Sequence, residues 1–193
     1  ITAAAEPAVP DLGPVELLIV VCNPTGCSLP SANTEAEAVK KDVKKAAPDK
    51  RVECRYSCTA DQLHELLSKE LRPRMLLFIG HADSVHPHSK RATLGLTDAT
   101  GAVVNLLPDT IADLLGHANL ELVVLNGCKS EGLGQALSSK HGIPVVCWKT
   151  DVIDEAAAAF SPALFRYLLD PERATQATQA LRQRLRPAYH QAK

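Results

Sequence analysis

The sequence predicts a three-layer α/β/α fold built on a mostly parallel sheet, and three observations carry that prediction. Short apolar runs suited to buried strands recur at residues 16–22, 74–80, 120–126 and 143–148. Stretches of helical composition or spacing lie between them, so strand and helix alternate along the chain. Parallel neighbours need long, nearly always right-handed crossovers, and the intervening segments are long enough to supply them.

Residues 1–14 hold Pro7, Pro10 and Pro14 among alanines without periodicity, and they are expected to form a linker or mobile end ahead of a single domain over 15–193. Residues 16–22 then read as a buried strand and 34–47 as a helix. In 51–58 the apolar Val52, Cys54, Tyr56 and Cys58 alternate with polar residues, the pattern of a half-exposed edge strand. Leu63, Leu66, Leu67 and Leu71 recur at helical spacing in 61–71, and Met75-Leu76-Leu77-Phe78-Ile79 is again a continuous apolar strand. A polar excursion over 82–92 follows. Asp98-Ala99-Thr100-Gly101 sits between two short strands, 93–96 and 103–106, as a hairpin turn. Residues 108–115 suit a helix that opens on Pro108, where the missing N–H is harmless. Strands are expected at 120–126 and 143–148, and helices at 131–140, 154–169 and 174–185.

Composition narrows the function classes. The 193 residues carry 21 Lys+Arg against 22 Asp+Glu, a formal charge of −1, so no basic field draws the chain to nucleic acid or an anionic membrane. The longest apolar run, residues 17–22, falls far short of the roughly 20 residues that span a bilayer. No secretory signal opens the chain, which starts at Ile1 with its only methionine at Met75, so it is expected to be a processed or excised piece. Six cysteines are thin for a disulfide framework and mostly sit in strand-like runs, which favours a reduced, cytoplasmic protein. Cys22, Cys27, Cys54 and Cys58 lack the spacing of zinc ribbons, and His86-Pro87-His88 lies in a polar loop without partners. No metal and no cofactor is expected. A nicking-prone loop tip at Lys90-Arg91 is the less favoured reading of that polar loop. The phosphate loop, the dinucleotide fingerprint and the serine-hydrolase elbow are all absent from the sequence.

Ligands of parallel α/β sheets gather at the carboxyl ends of strands. Two such ends carry chemistry: His81 after Phe78-Ile79-Gly80, and Cys128 after Leu125-Asn126-Gly127. A thiol attacks as thiolate and needs a nearby base, which an imidazole provides. If the two strands are neighbours, about 4.8 Å apart, both side chains reach one carbonyl carbon. By itself a cysteine after a buried strand is more often a small core hydrophobe, and Cys22, Cys54, Cys58 and Cys147 are read that way. The segment Trp148-Lys149-Thr150-Asp151-Val152-Ile153-Asp154 follows the next strand and would wall the same cleft. Asp154 is favoured as the N-cap of the helix it precedes.

In their order these motifs resemble the CHAT family of caspase-like cysteine peptidases, with His81 and Cys128 separated by 47 residues where caspases place the histidine about 50 upstream. The resemblance runs over 15 to about 185: Asn23-Pro24 and a glutamate-bearing helix, Phe78-Ile79-Gly80-His81, Leu94-Gly95-Leu96, Leu125-Asn126-Gly127-Cys128-Lys129-Ser130, Gly142-Ile143-Pro144-Val145-Val146, and Asp154-Glu155-Ala156-Ala157 leading to Phe160 and Phe165-Arg166-Tyr167-Leu168-Leu169. It implies a caspase-like fold and peptide-bond hydrolysis, with Cys128 as nucleophile, His81 as general acid and base, and the N–H groups of Ala82 and Cys128 as oxyanion donors. It also implies that Asn126, two residues before the nucleophile, lines the substrate pocket, with Trp148 and Asp151 as further substrate-binding candidates. The implied partners are a protein or peptide substrate and helical-repeat regions of a longer parent chain. Two positions depart from the family pattern: Ala82 stands where glycine is usual, and Gly127 where a small residue such as alanine is usual. Ala82 keeps open the alternative of an inactive CHAT-like scaffold or regulatory binding module.

Overall fold

The computed structural model describes residues 14–24, 28–82, 84–85, 92–106 and 108–170. Five parallel strands form the central sheet: β1 (Leu17–Cys22), β2 (Val52–Tyr56), β3 (Met75–Gly80), β8 (Leu122–Asn126) and β9 (Val145–Cys147), in the order β2-β1-β3-β8-β9. Because side chains alternate along a strand, the inner strands of the sheet feed two cores. Leu17, Ile19, Val21, Leu77, Ile79 and Val124 pack against α1 (Ala32–Ala46) and α5 (Asp154–Leu169) on one face. Leu18, Val20, Leu76, Phe78, Val123 and Leu125 pack against α2 (Ala60–Glu65), α3 (Pro108–Gly116) and α4 (Glu131–His141) on the other. The result is the expected α/β/α sandwich. β2 is an edge strand, as its alternating sequence predicts, and only Val52 in it is buried.

Two small antiparallel pairs lie outside the main sheet. β6 (Gly95–Thr97) and β7 (Val103–Asn105) form the expected hairpin, whose Asp98 carboxylate accepts the Thr100 and Ala102 N–H groups. β4 (Ser84–Val85) and β5 (Ala92–Thr93) pair within what reads as a plain polar excursion. The helix expected over 61–71 is α2 followed by a π-helical turn, Leu66–Glu70, in which the Leu71 N–H bonds the Leu66 carbonyl at 2.9 Å. That wider turn keeps Leu66, Leu67 and Leu71 all buried. Cys27, the His86-Pro87-His88 and Lys90-Arg91 loop, the N-terminal segment 1–13 and the helix expected at 174–185 lie outside the described residues.

Candidate active site

β3 and β8 are hydrogen-bonded neighbours in parallel register, with Ile79 opposite Asn126. His81 and Cys128 each follow this last pair by two residues, at the carboxyl edge of the sheet. Both are half-buried. The approach between the strand ends is close: a side chain at Gly127 would meet the Gly80 carbonyl and come within 2.8 Å of the Ala82 methyl and 3.1 Å of the Ala82 nitrogen. The His81 carbonyl accepts the Gly95 N–H at 2.8 Å, so the β6–β7 hairpin is seated directly on the residue that carries the imidazole.

Cys128 opens a sharp turn into α4. Lys129 after it is left-handed at φ 51°, a conformation disfavoured for a side chain with a Cβ and commonly concentrated at functional turns. Ser130 closes that turn: its hydroxyl donates to the Leu125 carbonyl at 3.1 Å and accepts the Trp148 N–H at 3.0 Å. The segment after β9 lies over the cysteine. The Cys128 thiol donates to the Val152 carbonyl at 3.6 Å and accepts the Val152 N–H at 3.4 Å, and the Lys129 N–H bonds the Thr150 carbonyl at 3.2 Å. Among the described residues, neither the Ala82 nor the Cys128 N–H has a hydrogen-bond acceptor.

The three substrate-binding candidates are placed differently. Asn126 is buried, with its amide filled from inside: its Nδ2 donates to Glu35 Oε1 (2.6 Å), the Ala157 carbonyl (3.0 Å) and Ser161 Oγ (3.0 Å), and its Oδ1 accepts Trp148 Nε1 (2.6 Å). Trp148 is half-buried and stands edge-on to Phe160, with 5.3 Å between ring centroids. Asp151 is exposed and pairs with Lys129 Nζ at 2.9 Å. Asp154 is not the cap of its own helix: Ile153 holds that position, and the Asp154 carboxylate instead accepts the Ser31 N–H at the start of α1, at 2.9 Å.

Sequence reasoning missed Glu35 and Ser161. Glu35 sits on the buried stripe of α1 formed by Ala32, Ala36, Val39 and Val43, and a charged residue on an apolar stripe was the available signal. Burial, reinforced by the neighbouring Asp154 charge and opposed by hydrogen bonds from Ser161 and Asn126, pushes its carboxyl up to about 7. The other described thiols behave as core residues. Burial raises Cys22 to about 12, and Cys58 and Cys147 to about 11. No group of three or more His, Cys, Asp or Glu that could hold a metal ion occurs among the described residues, and no helix among them is long and apolar enough to cross a membrane.

The caspase-like α/β fold places the chain in a peptidase-related class. The CHAT domain family model matches residues 3–193, essentially the whole chain, and the protein belongs to that family. No curated protein matches the chain.

Proposed function

We propose that the protein is a cysteine endopeptidase in which Cys128 attacks the scissile carbonyl and His81 moves the protons. The observation that supports this reading is the parallel pairing of β3 with β8, Ile79 opposite Asn126, because His81 and Cys128 follow these neighbouring strands at the edge where parallel sheets carry their chemistry. The thiolate forms a thioester as the carbonyl carbon releases the amine, and the His81 imidazolium supplies the proton that the amine leaves with. Water then attacks the thioester with His81 as base, releasing the acid and the thiol. The Ala82 and Cys128 N–H groups, without an acceptor among the described residues, are suited to hold the oxyanion, and donors of this kind contribute about 3 to 4 kcal/mol in related acyl transfers. Trp148 and Asp151 are the candidates for contact with the peptide, while the buried Asn126 serves from behind the turn.

One observation favours the alternative of a binding module that does not cut: Val152 occupies both hydrogen-bonding functions of the Cys128 sulfur. Cleavage of a peptide library by the wild type and by Cys128→Ala separates the two. Loss of turnover in the variant, with His81-dependent labelling of Cys128 by an electrophilic peptide, is the expected result. Equal turnover in both proteins would remove the hydrolase.

A further inference from the structure

The knot behind the nucleophile joins four elements at one side chain. Asn126, at the end of β8, is held by Glu35 from α1, by Ser161 and the Ala157 carbonyl from α5, and by the Trp148 indole after β9. Glu35 is 2% exposed and Ser161 is fully buried, so this is an internal network rather than a surface contact. Buried polar networks of this kind fix geometry when every member is satisfied. Only Gly127 separates Asn126 from Cys128, and the Trp148 main chain is tied to the same turn through Ser130.

We propose that Glu35 is a positioning residue for the Cys128 nucleophile, acting through Asn126 and Trp148 so that its charge sets how firmly the turn bearing the thiol is held. The inference rests on the reading of Cys128 and His81 as the reacting pair. An ionised carboxylate accepts the Asn126 and Ser161 hydrogens in charge-assisted bonds, about twice as strong as neutral ones, and protonation weakens both. The titratable group that bears on Glu35 from the element packed opposite is Asp154 on α5. β8 presents the uncharged Asn126, and no cation pairs with Glu35 among the described residues. A carboxyl raised to about 7 therefore changes charge in the neutral range with only acids and neutral dipoles around it.

Trp148 is the single tryptophan, so its emission reports the knot directly. In the full chain, emission followed from about pH 5.5 to about 8.5 is expected to titrate with a midpoint near 7, to do the same in His81→Ala, and to lose the transition in Glu35→Gln. The rate of Cys128 alkylation by iodoacetamide, read on the peptide that contains it, is expected to fall about fivefold in Glu35→Gln at about pH 8, the equivalent of one hydrogen bond. At about pH 5.5, where wild-type Glu35 is protonated too, the two rates converge. A flat wild-type emission, a transition that survives Glu35→Gln, or the same slowing at both pH values would overturn the role. If Glu35→Gln does not fold, Ser161→Ala decides: loss of its hydrogen bond must move the midpoint upward, and an unmoved midpoint counts against the proposal. Alkylation unaffected by His81→Ala would instead take down the reacting pair itself, a failure distinct from loss of the Glu35 effect alone.

Discussion

The methyl group of Ala82 and the bare Cα of Gly127 belong to one packing decision. The two face each other across the β3–β8 seam, where a Cβ at 127 would lie 2.8 Å from the Ala82 Cβ. The missing side chain at Gly127 leaves the room that the Ala82 methyl takes up. Gly127→Ala alone is expected to cost about 1 to 3 kcal/mol by overpacking. Adding Ala82→Gly should recover part of that loss, the remainder reflecting the Gly80 carbonyl, and a urea-unfolding double-mutant cycle reads the coupling. Strictly additive losses would show that the two positions do not share the space. Of the residues at this edge, the positions of His81 and Cys128 after β3 and β8 were legible because a reactive side chain following an apolar strand stands out. Val152 was not, because it touches the sulfur through its main chain and leaves no trace in residue type.

At the scale of elements, α1 and α5 are joined at their N-terminal turns by two acids. The Asp154 carboxylate of α5 accepts the Ser31 N–H at the start of α1, and Glu35 of α1 accepts hydrogens from Asn126 and from Ser161 of α5. The expectation that Asp154 caps its own helix failed because cap preference is local, whereas its actual partner lies 123 residues away in sequence. The described strands of the main sheet and the helices beside them were legible from periodicity to within a few residues. β4 and β5, two residues each, are too short to carry a period, and the π turn keeps a leucine spacing that also reads as α-helix. Glu35 makes stability depend on pH with a definite sign. Its ordinary value of 4.5 rises to about 7 on folding, so between those values the folded chain holds a proton the unfolded chain has lost. Stability from this group therefore falls as pH rises through that window and levels off above it, by about 3 kcal/mol in total. Urea midpoints measured across the window should decline in the wild type and flatten in Glu35→Gln. Parallel curves for the two proteins would contradict the assignment.

Across the whole molecule the two edges of the sheet do different work. The carboxyl edge carries the left-handed Lys129 and the thiol under Val152, whereas the amino edge is clamped by charge. Arg74, just before β3, pairs with Glu16 before β1 at 2.8 Å and makes a bidentate contact with Glu121 before β8 at 2.8 and 3.1 Å. Main-chain bonds run alongside: Met75 N–H to the Glu16 carbonyl, and Glu121 N–H to the Arg74 carbonyl. One guanidinium thus aligns the starts of three adjacent strands, including the two whose far ends carry His81 and Cys128. Its side chain is 43% exposed, which limits the worth of the charges, but the Glu16 side chain is only 10% exposed and is left with the looser Lys50 contact at 3.6 Å if Arg74 is removed. Arg74→Met keeps the length of the stem and removes the fork, and it is expected to cost about 1 to 2 kcal/mol in urea unfolding. With the strand ends about 20 Å apart at the usual rise per residue, the folded variant should alkylate at Cys128 at the wild-type rate. A variant equally destabilised at Gly127 should not, because there the same loss is taken from the turn that holds the sulfur. If Arg74→Met slowed Cys128 as much as it destabilised the chain, the two edges would be one cooperative unit, and reactivity at the thiol would report global stability rather than the local geometry of the strand ends.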